Sequence, residues 1–137
     1  MKNMKTWFLL MFLAMVTTTL LGQHTVTIEI DGLENNKGQV LLEFNDANGK
    51  LISGHQQAIE NNKSVIVIKD VKPGKYSFKY FHDENNNQKL DTNMIKMPKE
   101  GFGFANNAKG KFGPPDFEKT IITIQGDTLL KCTAMYL

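Results

Sequence analysis

Arginine is absent from this chain, and cysteine occurs once. Phosphate and nucleic-acid sites rely on clustered cations and on the bidentate guanidinium fork, so the first absence argues against nucleic acid as a partner. The second excludes an intramolecular disulfide, and the fold must rest on its apolar core. That one residue, Cys132, sits in the alternating run Leu130, Cys132, Ala134, Tyr136 and reads as a small core side chain. Beyond residue 22 no stretch of ten or more residues carries a helical apolar period. Catalytic signatures are missing too. There is no G-x-S-x-G turn, and His24, His55 and His82 have no zinc-ligand spacing. Gly101-Phe102-Gly103-Phe104 lacks the Lys-Ser/Thr ending of a phosphate loop.

The first residues do carry a pattern. Lys2 and Lys5 precede an unbroken apolar run from Trp7 to Val16, and small Gly22 stands before Gln23. This is the order of parts in a cleavable secretory signal peptide. The apolar run is far shorter than the ~20 residues that span a bilayer as a helix. The expectation is a signal peptide over 1–22, one domain over 23–137, and a periplasmic or secreted product with no membrane insertion after cleavage. The whole chain has 16 lysines against 14 acids. Lys2 and Lys5 fall in the leader, so the remainder balances at 14 against 14. A neutral surface gives no general attraction to anionic lipid.

The rest of the chain alternates with period two. Val26, Ile28 and Ile30 share one side, as do Val40, Leu42 and Phe44, then Tyr76, Phe78 and Tyr80, then Ile122 and Ile124. Lys63–Ile68 is a β-branched run, and the chain closes on Leu130–Tyr136. Asp31-Gly32, Asn48-Gly49, Asn61-Asn62, Pro73-Gly74 and Gly126-Asp127 punctuate these runs as turns. The pattern predicts an all-β, antiparallel β-sandwich of about seven strands. Its expected core is Val26, Ile28, Val40, Leu42, Val67, Tyr76, Phe78, Tyr80, Ile122, Leu130, Cys132 and Ala134.

From Phe81 to Glu118 the rhythm breaks into Asn, Gly, Lys and Pro. So long a connection in a compact domain is functional or disordered. Phe102, Phe104, Phe112 and Phe117 supply anchors, so an ordered loop is expected. It opens with oxygen-bearing side chains at Asp83, Asn85, Asn87 and Asp91. Counted from Asp83 these are positions 1, 3, 5 and 9 of an EF-hand-type calcium loop, with the Lys89 carbonyl at 7. Gln88 stands where the sharp turn wants Gly, and Met94 stands where a bidentate Glu belongs. Another acid, Glu100 or Glu84, would have to complete the shell. The alternative is a turn in which Asp and Asn side chains bond their own backbone.

FHDENNNQKLDTN (81–93), MPKEGFGFANNAKGKFGPPDFEK (97–119) and the preceding VKPGKYSFKYF (71–81) resemble the bacterial domain-of-unknown-function family 2141 (DUF2141). The resemblance runs from about residue 25 to 137. It implies an exported protein, often of the Bacteroidetes lineage, with a small β-sandwich of immunoglobulin-like or prealbumin-like kind. It implies no established activity. The family pattern has glycines where this chain has Asn86 and Gln88, and Gly-Ile where it has Lys96-Met97.

Three readings of function follow. The first is a non-enzymatic binding or structural module with the 82–118 loop as its working surface. It would be a monomer whose partner is a protein or a cell-envelope ligand. The second is the same module stabilised by Ca²⁺ at Asp83, Asn85, Asn87, Lys89 and Asp91, with Glu100 as a weaker ligand. The third, ranked last, is a small carboxylate-dependent hydrolase using Asp83, Asp91 and Glu100 as acid or base.

Overall fold

The structure, a computed structural model, describes residues 22–137. The signal-peptide segment expected over 1–22 therefore lies, apart from Gly22, outside the described residues.

Among the described residues eight strands form two sheets. They are β1 (His24–Asp31), β2 (Gln39–Asp46), β3 (Leu51–Ala58), β4 (Ser64–Val71), β5 (Gly74–Asp83), β6 (Phe102–Phe104), β7 (Ile122–Ile124) and β8 (Thr128–Thr133). The smaller sheet runs β4-β1-β8. The larger runs β3-β2-β5, and β6 and β7 share the far edge of β5. β6 pairs with Lys79–Phe81, and β7 pairs with Gly74–Tyr76. The sandwich is antiparallel as expected except at one place, where β8 lies parallel to β1 and sets Ile30 beside Cys132. Phe102 also bridges to Met135, which ties the larger sheet to the chain end beyond β8.

The period-two pattern explains the core. Val26, Ile28 and Ile30 of β1 are fully buried against Val40, Leu42 and Phe44 of β2 and Phe78 of β5. Phe44 stacks on Tyr76 with ring centroids 5.0 Å apart. Tyr76 and Leu130, expected inside, are only partly buried at the rim. Val67 is a correction. It is 48% exposed, while Ile66 and Ile68 point inward. The register sets Ile66 opposite Ile28 and Val67 opposite Thr27 on the outer face. A continuous β-branched run has no alternation to say which side is inner.

Two strands escape the sequence pattern. β3 is an edge strand, and Leu51 and Ile52 are mostly exposed, so it lacks an apolar face. β6 is three residues long and falls inside the segment expected to be all loop. That segment is thus two ordered pieces, 84–101 and 105–121, and 3₁₀ turns at Ala105–Asn107 and Phe117–Thr120 shape the second.

Candidate functional site

The strand β5 carries the loop. Its last two residues, His82 and Asp83, are polar yet fully buried. The chain leaving Asp83 is covered by the turn before β2, where backbones meet closely. A Cβ on Gly38 would fall on the Asp83 carbonyl, and Gly38 also holds φ +65°, so glycine is required there.

Burial obliges each polar group to find a partner. The Asp83 carboxylate accepts the Asn87 N–H at 3.1 Å and the Gln88 N–H at 2.8 Å. Glu100, also buried, accepts the Glu84 N–H and the Asp91 N–H, each at 3.1 Å. Two interior carboxylates therefore clamp the 84–91 backbone from beneath. Above them the Asn85 and Asn87 carboxamides each donate to Asp91, at 2.7 and 2.8 Å. The Asn87 side-chain oxygen accepts the Lys89 N–H. Lys89 itself is exposed. Asn86 and Gln88 hold φ +56° and +63°. Both take the left-handed backbone, which side chains other than glycine adopt less readily.

The charges respond to this setting. The Asn87 and Asn85 carboxamides, with the Lys99 charge, hold the Asp91 carboxyl below its ordinary range. Burial raises Glu100, the two N–H bonds offset part of that, and the nearby Asp91 and Asp83 charges add to the rise.

The structure thus brings Asp83, Asn85, Asn87, Asp91 and Glu100 into one hydrogen-bonded network. Among the described residues no three His, Cys, Asp or Glu side chains are grouped as a metal centre requires. Asn85 and Asn87, two of the five converging side chains, are carboxamides.

The sequence pattern did not single out His82. Its Nε2 lies 2.6 Å from the Lys37 carbonyl, an acceptor only, so Nε2 carries the hydrogen. In the neutral ring Nδ1 accepts from the Tyr136 hydroxyl at 2.9 Å, with a Glu84 carboxylate oxygen 3.7 Å away, and that hydroxyl accepts the Glu34 N–H at 3.0 Å. The partners lie 54 residues apart, and nothing local in the sequence signals the pair.

Past the clamp the chain makes a tight turn between Thr92 and Pro98, which bridge each other. Asn93 organises it. Its backbone binds Met97 and Lys96, and its side-chain oxygen accepts the Ile95 and Met97 N–H groups, both at 3.0 Å. Lys96 holds φ +62°. Met94 at the tip is fully exposed, Ile95 is 74% exposed, and Met97 is partly exposed.

A two-sheet β-sandwich with a clamped loop and a hydrogen-bonded, exposed apolar turn defines a small all-β module. The chain belongs to the bacterial family DUF2141, described as an uncharacterized protein conserved in bacteria, whose pattern matches residues 28–130. No curated protein and no solved structure matches the chain. No helix among the described residues is long and apolar enough to cross a membrane.

Proposed function

We propose that this chain is an exported, non-enzymatic binding module whose working surface is the 82–118 loop. The observation that carries this reading is the 92–98 turn. Exposing Met94 and Ile95 to water is unfavourable, and a turn held by Asn93 on both its backbone and side chain keeps them there. A rigid display of this kind lowers the ordering cost of binding. The partner is a protein or another component of the cell envelope. Lys2, Lys5 and the Trp7–Val16 run support export. The occupations of Asp83 and Glu100 support a non-enzymatic role, since both oxygens of each carboxylate hold backbone N–H groups. Met94→Ser with Ile95→Ser tests the reading. The pair should leave the melting temperature unchanged and abolish co-sedimentation with the envelope fraction of the producing bacterium. Equal co-sedimentation of variant and wild type would reject the loop as the working surface.

A second reading adds Ca²⁺ at Asp83, Asn85, Asn87, the Lys89 carbonyl and Asp91, with Glu100 as support. It is favoured by the left-handed Gln88 at the sixth position, the conformation that a calcium loop takes there, and by the convergence of Asn85 and Asn87 on Asp91. Rotating either carboxamide by half a turn presents oxygen in place of nitrogen. A calcium titration tests it, as argued below.

A further inference from the structure

A second surface is the outer face of the larger sheet, bordered by residues 88–90 of the same loop. The cross-strand register defines it. One row runs Gln56, Leu41, Phe81, Phe102 across β3, β2, β5 and β6. The next runs Gly54, Glu43, Lys79, Phe104. Their inward neighbours Leu42 and Tyr80 are buried, so the sandwich core is closed without these rows. Three phenylalanines and a leucine nevertheless stand on the outer side, half-buried. Gln88, Lys89 and Leu90 overhang them, and together they enclose an open groove of about 710 Å³. This is within the range of small-ligand sites.

We infer that this groove binds a neutral glycan chain. The lining chemistry selects the class. Phe102 and Phe104 meet edge to face, with centroids 6.3 Å apart and planes at 83°, so the wall offers both a ring face and a ring edge. Sugar rings carry flat C–H faces that suit an aromatic face. At mid-groove Glu43 and Lys79 pair at 3.0 Å. The pair cancels its own charge and selects neither anion nor cation, yet it keeps acceptors and donors for hydroxyls. An acyl chain would cover that half-exposed ion pair without replacing its water. Nucleic acid would need clustered cations, and here the ion-paired Lys79 has beside it in the lining only Lys89 and His55, the latter held below its ordinary range by burial. A chain of neutral sugars meets both demands, with apolar faces on the phenylalanines and hydroxyl edges on Glu43, Lys79 and the glutamines.

Gly54 makes the groove testable without dismantling it. Nothing lies within 4 Å of a Cβ built there, so Gly54→Phe places a ring in open space. The purified ¹⁵N-labelled protein is titrated with cellohexaose, laminarihexaose, chitohexaose and mannohexaose, and in parallel with lauric acid and oligogalacturonate. At least one neutral hexasaccharide should move the amides of Leu41, Gly54, Lys79, Phe81, Phe102 and Phe104, saturating at about 1–5 mM or below. Gly54→Phe should keep the melting temperature and weaken that binding about tenfold or more. Met94→Ser with Ile95→Ser should leave it unchanged, which separates the groove from the docking turn. The inference is overturned if no neutral hexasaccharide moves these amides at about 5 mM. It is also overturned if only lauric acid or oligogalacturonate moves them, or if Gly54→Phe binds as wild type does.

Discussion

His82 and Tyr136 hold each other through a single, partly buried hydrogen bond of 2.9 Å between Nδ1 and the phenol oxygen. The bond joins the end of β5 to the chain end beyond β8, and it uses the phenol in both directions, donating to His82 and accepting from the Glu34 N–H. Tyr136→Phe removes both partners at once and leaves the fully buried imidazole nitrogen unsatisfied. The expected loss is ~1–3 kcal/mol in urea unfolding, because an orphaned buried acceptor bears its full desolvation cost. A loss below ~0.3 kcal/mol would mean that water replaces the phenol and that the bond does no structural work.

The register of β4 makes a paired prediction. Phe78 is 2% exposed and central to the core, and its truncation to Ala should cost ~3–5 kcal/mol. Val67→Ala, on the outer face, should cost less than ~1 kcal/mol. The reverse order in denaturant midpoints would contradict the placement of Phe78 of β5 in the core and of Val67 of β4 on the outer face.

How far the sequence foretold these features follows from the range of the interactions. β1, β2 and β5 were legible because one face of each is dry, and the alternation is written in adjacent residues. β3 was not, since an edge strand with polar residues has no inner face to display. Val67 was misplaced because four consecutive β-branched or apolar residues carry no parity. The parallel pairing of β8 with β1 depends on register across about a hundred residues, which no local motif encodes. In the loop, the Asp83–Asn85–Asn87–Asp91 spacing was visible as a local motif. Glu100 was foreseen as a weaker metal ligand, not as the acceptor that clamps the Glu84 and Asp91 N–H groups. The Tyr136 partner of His82 was not foreseen at all.

The interior hydroxyl and thiol predict behaviour in alkali. Burial pushes Cys132 from 9.0 up to about 11, against a weaker pull from the Asn107 backbone N–H. Burial also drives Tyr80 well above its ordinary 10, and the charges of Cys132, Asp31 and Tyr136 add to it. Raised acids in the fold hold their protons more tightly than in the unfolded chain. The stability they confer is complete below pH 9.0, the unfolded value of the thiol, and is lost as pH rises through about 11. Thermal unfolding from pH 8 to 11 should show a flat region followed by a steep fall above about 9. Native protein should resist iodoacetamide at pH 8, where the thiol is protonated and buried. Among the described residues the Tyr80 hydroxyl is buried without a hydrogen-bond partner. Tyr80→Phe should therefore be neutral or stabilising at pH 7 and should make the alkaline fall shallower. A melting temperature that declines steadily from pH 7 would contradict this account.

The calcium reading makes the last prediction, and it turns on what holds the loop without an ion. Asp83 and Glu100 already spend their oxygens on backbone N–H groups, and Asp91 receives two carboxamides. The loop is therefore ordered before any cation arrives, and binding requires Asn85 and Asn87 to rotate and give up the Asn87 and Lys89 N–H groups that their oxygens now accept. Lone pairs not used by the N–H groups remain for the metal. Such a site is expected at the weak end of the range, with a Kd of ~10⁻⁴–10⁻³ M. At ten times Kd, linkage raises stability by ~1.4 kcal/mol. That is a melting shift of ~5 °C for a domain of this size. Mg²⁺ should do less, because it demands a small octahedral shell and gives up water reluctantly. Asp91→Ala should abolish the shift at little cost to the apo fold, since its carboxylate binds only exposed carboxamides. Asp83→Ala should also lower the apo melting point, because it frees two buried N–H groups. Gln88→Gly relieves the left-handed strain and should raise the melting point equally with and without the ion, since it changes no ligand. If ~10 mM CaCl₂ stabilises the wild type no more than NaCl of equal ionic strength does, the segment is a self-bonded Asx turn and Ca²⁺ has no place in it.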